Sequence, residues 1–239
     1  MSLSLSPGSS LSAVPSRTAA WGGRHLAVPL LIVLLHAVLV NLPATRDAAR
    51  WLTDENMPVE MVTFVLMLAT TWIAARLAVR LRRTDTLASA FYGLFAAGMF
   101  FIAMEEVSWG QWLVGFETPA EMRAQNVQGE FNLHNLQGAH ELIELMRVVF
   151  GVGSLIGIAV GALAVARNVA VPAKLLPWFL IITVLSVADM VFAYVTVPHR
   201  ISWTVSELME TVELLIAIAT LFYVQHHARR LLRREPGIG

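Results

Sequence analysis

The sequence predicts an all-α integral membrane protein: a bundle of six transmembrane helices with an interfacial or re-entrant lid between the third and the fourth. Three observations predict it. Apolar residues make up 56% of the 239 and charged residues 14%, with a mean hydropathy of +0.64, outside the usage of soluble domains. The apolar residues gather in six continuous runs, most of them near the roughly 20 residues that carry a helix across a bilayer core. Arginines and carboxylates then sit at opposite ends of those runs. Strands are excluded, because the runs are too long and a backbone in lipid must satisfy its own hydrogen bonds.

Residues 1–20 are rich in Ser and Pro, with Arg17 as their one charge, and read as a disordered cytoplasmic tail. The membrane domain is expected over 21–225, with spans at 26–42, 58–79, 87–106, 140–166, 175–198 and 203–225. The first run has no small-residue cleavage site close behind it and reads as a retained anchor rather than a signal peptide. Residues 226–239 begin HHARRLLRR and form a basic cytoplasmic tail. Every basic residue except Lys174 is arginine, and eleven fall on the side that holds both termini against four (Arg46, Arg50, Arg123 and Arg200) on the other. That bias places both termini in the cytoplasm.

Several function classes are excluded. A chain without cysteine makes no disulfide, no thiolate nucleophile and no Cys-ligated zinc. Seventeen basic residues balance seventeen acidic ones, so the charge gives no argument for nucleic acid; the expected partner is the lipid bilayer, with a lipid as substrate. Walker loops, dinucleotide glycine fingerprints and GxSxG elbows do not occur.

The chemistry concentrates between Glu105 and Glu144, where ionisable groups stand at the ends of apolar runs and mark a functional site by default. Glu105 and Glu106 point about 100° apart on a helix, so one of them faces the bundle. Ser108, Trp109 and Gln111 follow within hydrogen-bonding reach. Thr118, Pro119 and Glu121 have the pattern of a capping box that starts a helix over 119–125, and the aromatic segment before it suits a membrane interface. His140 and Glu144 stand at i and i+4 on one face at the positive end of the fourth span. HELIE matches only the first half of HExxH, so no protease is inferred.

Deeper in the spans lie Arg147, Asp189 and the triplet Glu207, Glu210 and Glu213, which covers about 120° of helix surface. Arg147 is expected to pair with Glu144, Asp189 or Glu210 and so offset the desolvation of both charges. Glu105, Glu106, Asp189 and Glu210 are the expected catalytic groups. His134, His140 and Glu144 are the expected metal ligands, in a carboxylate-rich set that suits a divalent Zn, Fe or Mn. Gly153, Gly157 and Gly161 recur every fourth residue, as in closely packed helices, and His36 reads as a core histidine.

The stretches EEVSWGQ (105–111), GFETP (115–119) and NVQGEFNLHN (126–135) resemble the signature of an uncharacterised family of bacterial multi-pass membrane proteins. Where that family has arginine after the glutamine, this chain has Trp112. The resemblance covers about 30 residues and implies a shared site at the outer face, without an activity. Three functions fit these residues: a metal-dependent membrane hydrolase or transferase, a non-enzymatic assembly or lipid-binding protein, and a cation or proton transporter. The transporter reading requires polar groups in the cytoplasmic halves as well, and the sequence of those halves reads as almost purely apolar.

Overall fold

The computed structural model describes residues 17–54, 57–163 and 166–232; the side chains of 17–24, Trp112, His140 and Ala162 lie outside that description, as do Glu55, Arg233 and Arg234. Among the described residues the chain is helical: α1 (Arg17–Asn41), α2 (Arg46–Thr53), α3 (Pro58–Leu81), α4 (Thr86–Glu106), α5 (Gln111–Val114), α6 (Ala120–Gln125), α7 (His140–Ala159), α8 (Leu176–Phe192), α9 (His199–Glu207) and α10 (Met209–Leu231). The segments Arg46–Leu81, Thr86–Glu106, Glu141–Ala159 and Ala173–Phe192 are long and apolar enough to cross a membrane.

Buried residues recur every three or four positions, as a helix with one packed face requires. On α3 they are Glu60, Thr63, Met67, Thr70, Ala74, Leu77 and Leu81. On α4 the same spacing buries Ala88, Tyr92, Ala96, Met99, Ala103 and Glu106. The opposite faces leave large apolar side chains uncovered, among them Trp72, Leu94, Val149 and Val184, the reverse of a soluble surface. α3 packs on α4 and α10, α8 packs on α10 and α7, and α1 lies against α8 and α2. α10 therefore runs between α3 and α8 and buries more residues than either neighbour.

Several expected boundaries are corrected. α1 begins at Arg17, so 17–20 are helical rather than tail, and 1–16 lie outside the described residues. α7 ends at Ala159 and α8 at Phe192, short of 166 and 198. The segment expected as one span over 203–225 is two helices, because α9 stops at Glu207 and α10 starts at Met209. The expected tail after 225 continues α10 to Leu231, with His227 only 1% exposed.

That buried histidine belongs to a polar cluster at the end of the bundle where α4 starts. Tyr92 Oη donates to the Asn168 carbonyl (2.8 Å), Tyr223 Oη to the Val169 carbonyl (2.8 Å), and His227 Nε2 lies 2.9 Å from the Ala170 carbonyl. Arg230 donates to the Arg167 carbonyl at 2.6 Å. Asn168 Nδ2 donates to Asp85 at 2.8 Å, and Asp85 accepts the Ala88 N–H at 3.0 Å as the N-cap of α4. The Ala88 N–H, with Asn168 beside it, holds the Asp85 carboxyl below its ordinary range. The half of the bundle expected to be almost purely apolar thus contains a polar network.

Glycine spacing also works differently from expectation. A Cβ at Gly151 would collide with Thr183 Oγ1 and stand 3.1 Å from the Thr183 Cα, so this glycine lets α7 approach α8. Gly153 faces open space, Gly157 admits Val171 of the returning chain, and Gly161 lies near Ala170.

Candidate functional site

The chain leaves α4 through three successive left-handed residues, Ser108 (φ 44°), Trp109 (φ 55°) and Gly110 (φ 79°). For serine and tryptophan that conformation costs on the order of 1–3 kcal/mol each, so the surroundings must impose it. Both side chains are anchored. Ser108 Oγ donates to the Glu130 carboxylate, and Trp109 Nε1 donates to Glu105 Oε1 at 2.6 Å. Glu105 Oε2 accepts the backbone N–H groups of Leu133 (2.6 Å) and His134 (3.0 Å), with His134 Nδ1 at 3.5 Å.

Further along, Gln111 donates to Thr118 Oγ1 (2.8 Å) and accepts the Phe131 N–H (2.8 Å). Asn126 donates to Asn132 Oδ1 at 2.7 Å and accepts the N–H groups of Gln128 and Glu130 at 2.9 and 3.1 Å. Asn132 closes the circuit on Ser108 Oγ at 3.1 Å. The stretches 105–111, 115–119 and 126–135 thereby form one hydrogen-bonded layer across the end of α4. The expected capping box is corrected: α6 starts after Pro119 with no side-chain cap, and Thr118 is buried as the acceptor for Gln111.

One residue further round α4, Glu106 turns into the bundle. It is buried, hydrogen-bonded with Glu213 of α10, and has Glu210 and Glu60 as charged neighbours. Glu213 Oε1 lies 3.6 Å from Arg147 Nε, and Arg147 Nη1 lies 3.7 Å from Asp189 Oδ2. These are ion pairs at longer than hydrogen-bond distance: Arg147 Nε and Nη1 are buried without a hydrogen-bond partner. Glu144, one turn before Arg147 on α7, is buried too. His36 of α1 joins the layer from another side, with Nδ1 2.5 Å from Thr211 Oγ1, next to Glu210.

The cluster reaches the surface through Glu210. That residue lines a cleft of about 520 Å³ with Asp47, Arg50, Trp51, Asp54 and Glu207, in which Arg50 pairs with Glu207 at 3.3 Å. The break at Leu208 separates the glutamate triplet: Glu207 goes to the surface pair on α9, while Glu210 and Glu213 go inward on α10.

Among the expected catalytic residues, Glu210 is a charged neighbour of Glu106, and Asp189 is linked to Glu106 through Arg147 and Glu213. Glu105 belongs to the loop layer instead. Of the expected metal ligands, His134 sits beside Glu105, Glu144 is buried on α7, and the His140 side chain lies outside the described residues. Among the described residues no three His, Asp or Glu side chains are arranged to hold a metal ion. The sequence reading did not single out Glu60. Its signal is the 60, 63, 67, 70, 74, 77 register, which puts Glu60 on the buried face of α3. No protein-family model, curated protein or solved structure matches the chain.

Proposed function

We propose that the chain is a six-span bacterial membrane protein, with cytoplasmic termini and the 107–139 connection as an outer lid, that uses the buried carboxyl cluster as the acid–base centre of a lipid hydrolase or transferase. The observation that supports this is the Glu106–Glu213 pair with Glu60 and Glu210 beside it. Two neighbouring carboxyl groups that share a single proton act as an acid and a base, the combination general acid–base catalysis requires. The cleft at Glu210 admits a polar headgroup, and the uncovered apolar helix faces accommodate its tail. That chemistry needs no metal; a metal-dependent form would draw on His140 and Glu144.

A second reading, proton or cation transport, is favoured by one observation. Buried Thr63, Thr70 and Thr220 continue from the acidic layer towards Tyr92, Tyr223 and His227 at the far end. One experiment separates the two. Wild-type protein and Glu106→Gln are reconstituted in vesicles of bacterial total lipid, with lipid composition followed by mass spectrometry and internal pH by an entrapped dye. Lipid turnover that Glu106→Gln abolishes supports the enzyme, and its loss on chelation assigns a metal to it. A proton flux abolished by Glu106→Gln, without turnover, supports transport; neither signal in the wild type refutes both.

A further inference from the structure

Away from the acidic cluster, α1, α2 and α9 enclose a second cleft of about 650 Å³, lined by Asn41, Leu42, Pro43, Arg46, His199, Arg200 and Trp203. Its described lining contains two arginines and no acid, although the sequence leaves few arginines at this end of the bundle. Both guanidinium groups are fixed by neutral partners. Arg46 Nε donates to the Val40 carbonyl at 3.1 Å, and its Cζ lies 5.5 Å from the centre of the Trp203 ring. Arg200 Nε donates to Asn41 Oδ1 at 2.9 Å, and Asn41 is itself held by Thr204 at 2.9 Å. Among the described residues neither arginine has a carboxylate partner, whereas Arg50 nearby is paired with Glu207. Two positioned guanidinium groups with open N–H donors in one cleft match the oxygens of a phosphate.

The cleft also adjoins an apolar track. Leu31, Leu35 and Val38 on α1 and Leu42 just past its end are all exposed, and their spacing puts them on one face that ends in the cleft. From Leu31 to Leu42 this stripe rises about 16 Å, close to half the roughly 30 Å hydrocarbon core, one leaflet deep.

We propose that this cleft binds the phosphate of an anionic lipid headgroup between Arg46 and Arg200, with an acyl chain along the Leu31–Leu42 face. The lipid source rests on the membrane reading; the phosphate chemistry does not. The test uses the full chain purified in a neutral maltoside and measures retained ligand by native mass spectrometry. Three probes are added in turn: a short-chain phosphatidylglycerol, the matching diacylglycerol without phosphate, and inorganic phosphate.

Wild-type protein is expected to retain the phosphatidylglycerol and not the diacylglycerol. Arg46→Gln with Arg200→Gln should weaken retention about 25-fold, about fivefold per arginine. Arg46→Lys with Arg200→Lys should keep most of it, and Arg123→Gln should change nothing. Equal retention of diacylglycerol by the wild type overturns the proposal even if the glutamine variant does not fold. So does unchanged phosphatidylglycerol retention in a folded glutamine variant. Inorganic phosphate that binds and displaces the lipid keeps the anion site and overturns the lipid source. A chain that stays soluble without detergent refutes the membrane reading and leaves the anion site to be scored with inorganic phosphate.

Discussion

The two glutamates at the end of α4 have opposite tasks, although they are neighbours in sequence. Glu105 spends its carboxylate on Trp109, Leu133 and His134 and so holds the loop layer in place. Hydrogen bonds to a charged acceptor contribute about 1.5–3 kcal/mol each, so Glu105→Gln should release 126–137, read as amide exchange there that is at least tenfold faster. Glu106 makes no such contacts with the loop; it adds a buried carboxyl to a cluster of buried Glu60 and half-buried Glu210 and Glu213. Removing one of several crowded carboxyls relieves repulsion and desolvation, so Glu106→Gln should leave loop exchange unchanged and keep or raise the melting temperature while it abolishes function. A marked loss of stability in that variant would make the cluster structural. That one of the pair faces the bundle was legible from the 100° step of a helix. Which one, and what the other does, depends on a partner 28 residues away and was not.

At the scale of elements, packing rather than propensity decides the outcomes that the sequence hid. Glu207, Leu208 and Met209 are all compatible with a helix, and neither Pro nor Gly marks the break between α9 and α10. The break follows buried Leu208 and the Glu207–Arg50 pair, contacts that no local pattern reveals. The glycine repeat in α7 was legible as close approach, but its register was not, since Gly151 rather than Gly153 meets α8. Gly151→Val should therefore cost about 1–3 kcal/mol by overpacking, and Gly153→Val much less, both measured by unfolding in mixed micelles. The turn before α4 gives a pH-dependent case. Asp85 is an N-cap whose folded-state carboxyl lies below its unfolded value, so its contribution is present above the unfolded value and is lost as pH falls through the folded one. Asp85→Ala should cost about 1 kcal/mol at neutral pH, and the variant should lose less stability than wild type on acidification below about pH 4.

For the whole molecule, hydropathy and burial select different helices, which explains why α10 is not among the four segments that satisfy the length and apolarity test in the described residues; α1 enters that test only as the shorter apolar stretch His25–Asn41. α10 carries Glu210, Glu213, Tyr223, His226 and His227, yet it is enclosed by α3 and α8 and has little need of an apolar surface of its own. The composition made the all-helical class legible, but the centre of the bundle is its most polar long helix, so a search for apolar runs finds the periphery more readily than the core. The crossing of α4 tests the topology most directly. The cysteine-free chain accepts single reporters without background, at Arg83 in the turn before α4, at Leu94 on its uncovered face, and at Glu121 beyond its other end; all three side chains are exposed. If α4 spans the membrane with the arginine-rich end inside, a membrane-impermeant maleimide should label Glu121→Cys in intact spheroplasts. Arg83→Cys should react only after permeabilisation. Leu94→Cys, facing hydrocarbon, should resist both conditions until the protein is denatured. Labelling of Arg83→Cys and Glu121→Cys from the same side would mean that α4 does not cross. The acidic cluster at its end would then face the same compartment as the Tyr92–His227 network, and neither an outer active site nor a path between two compartments could be built on it.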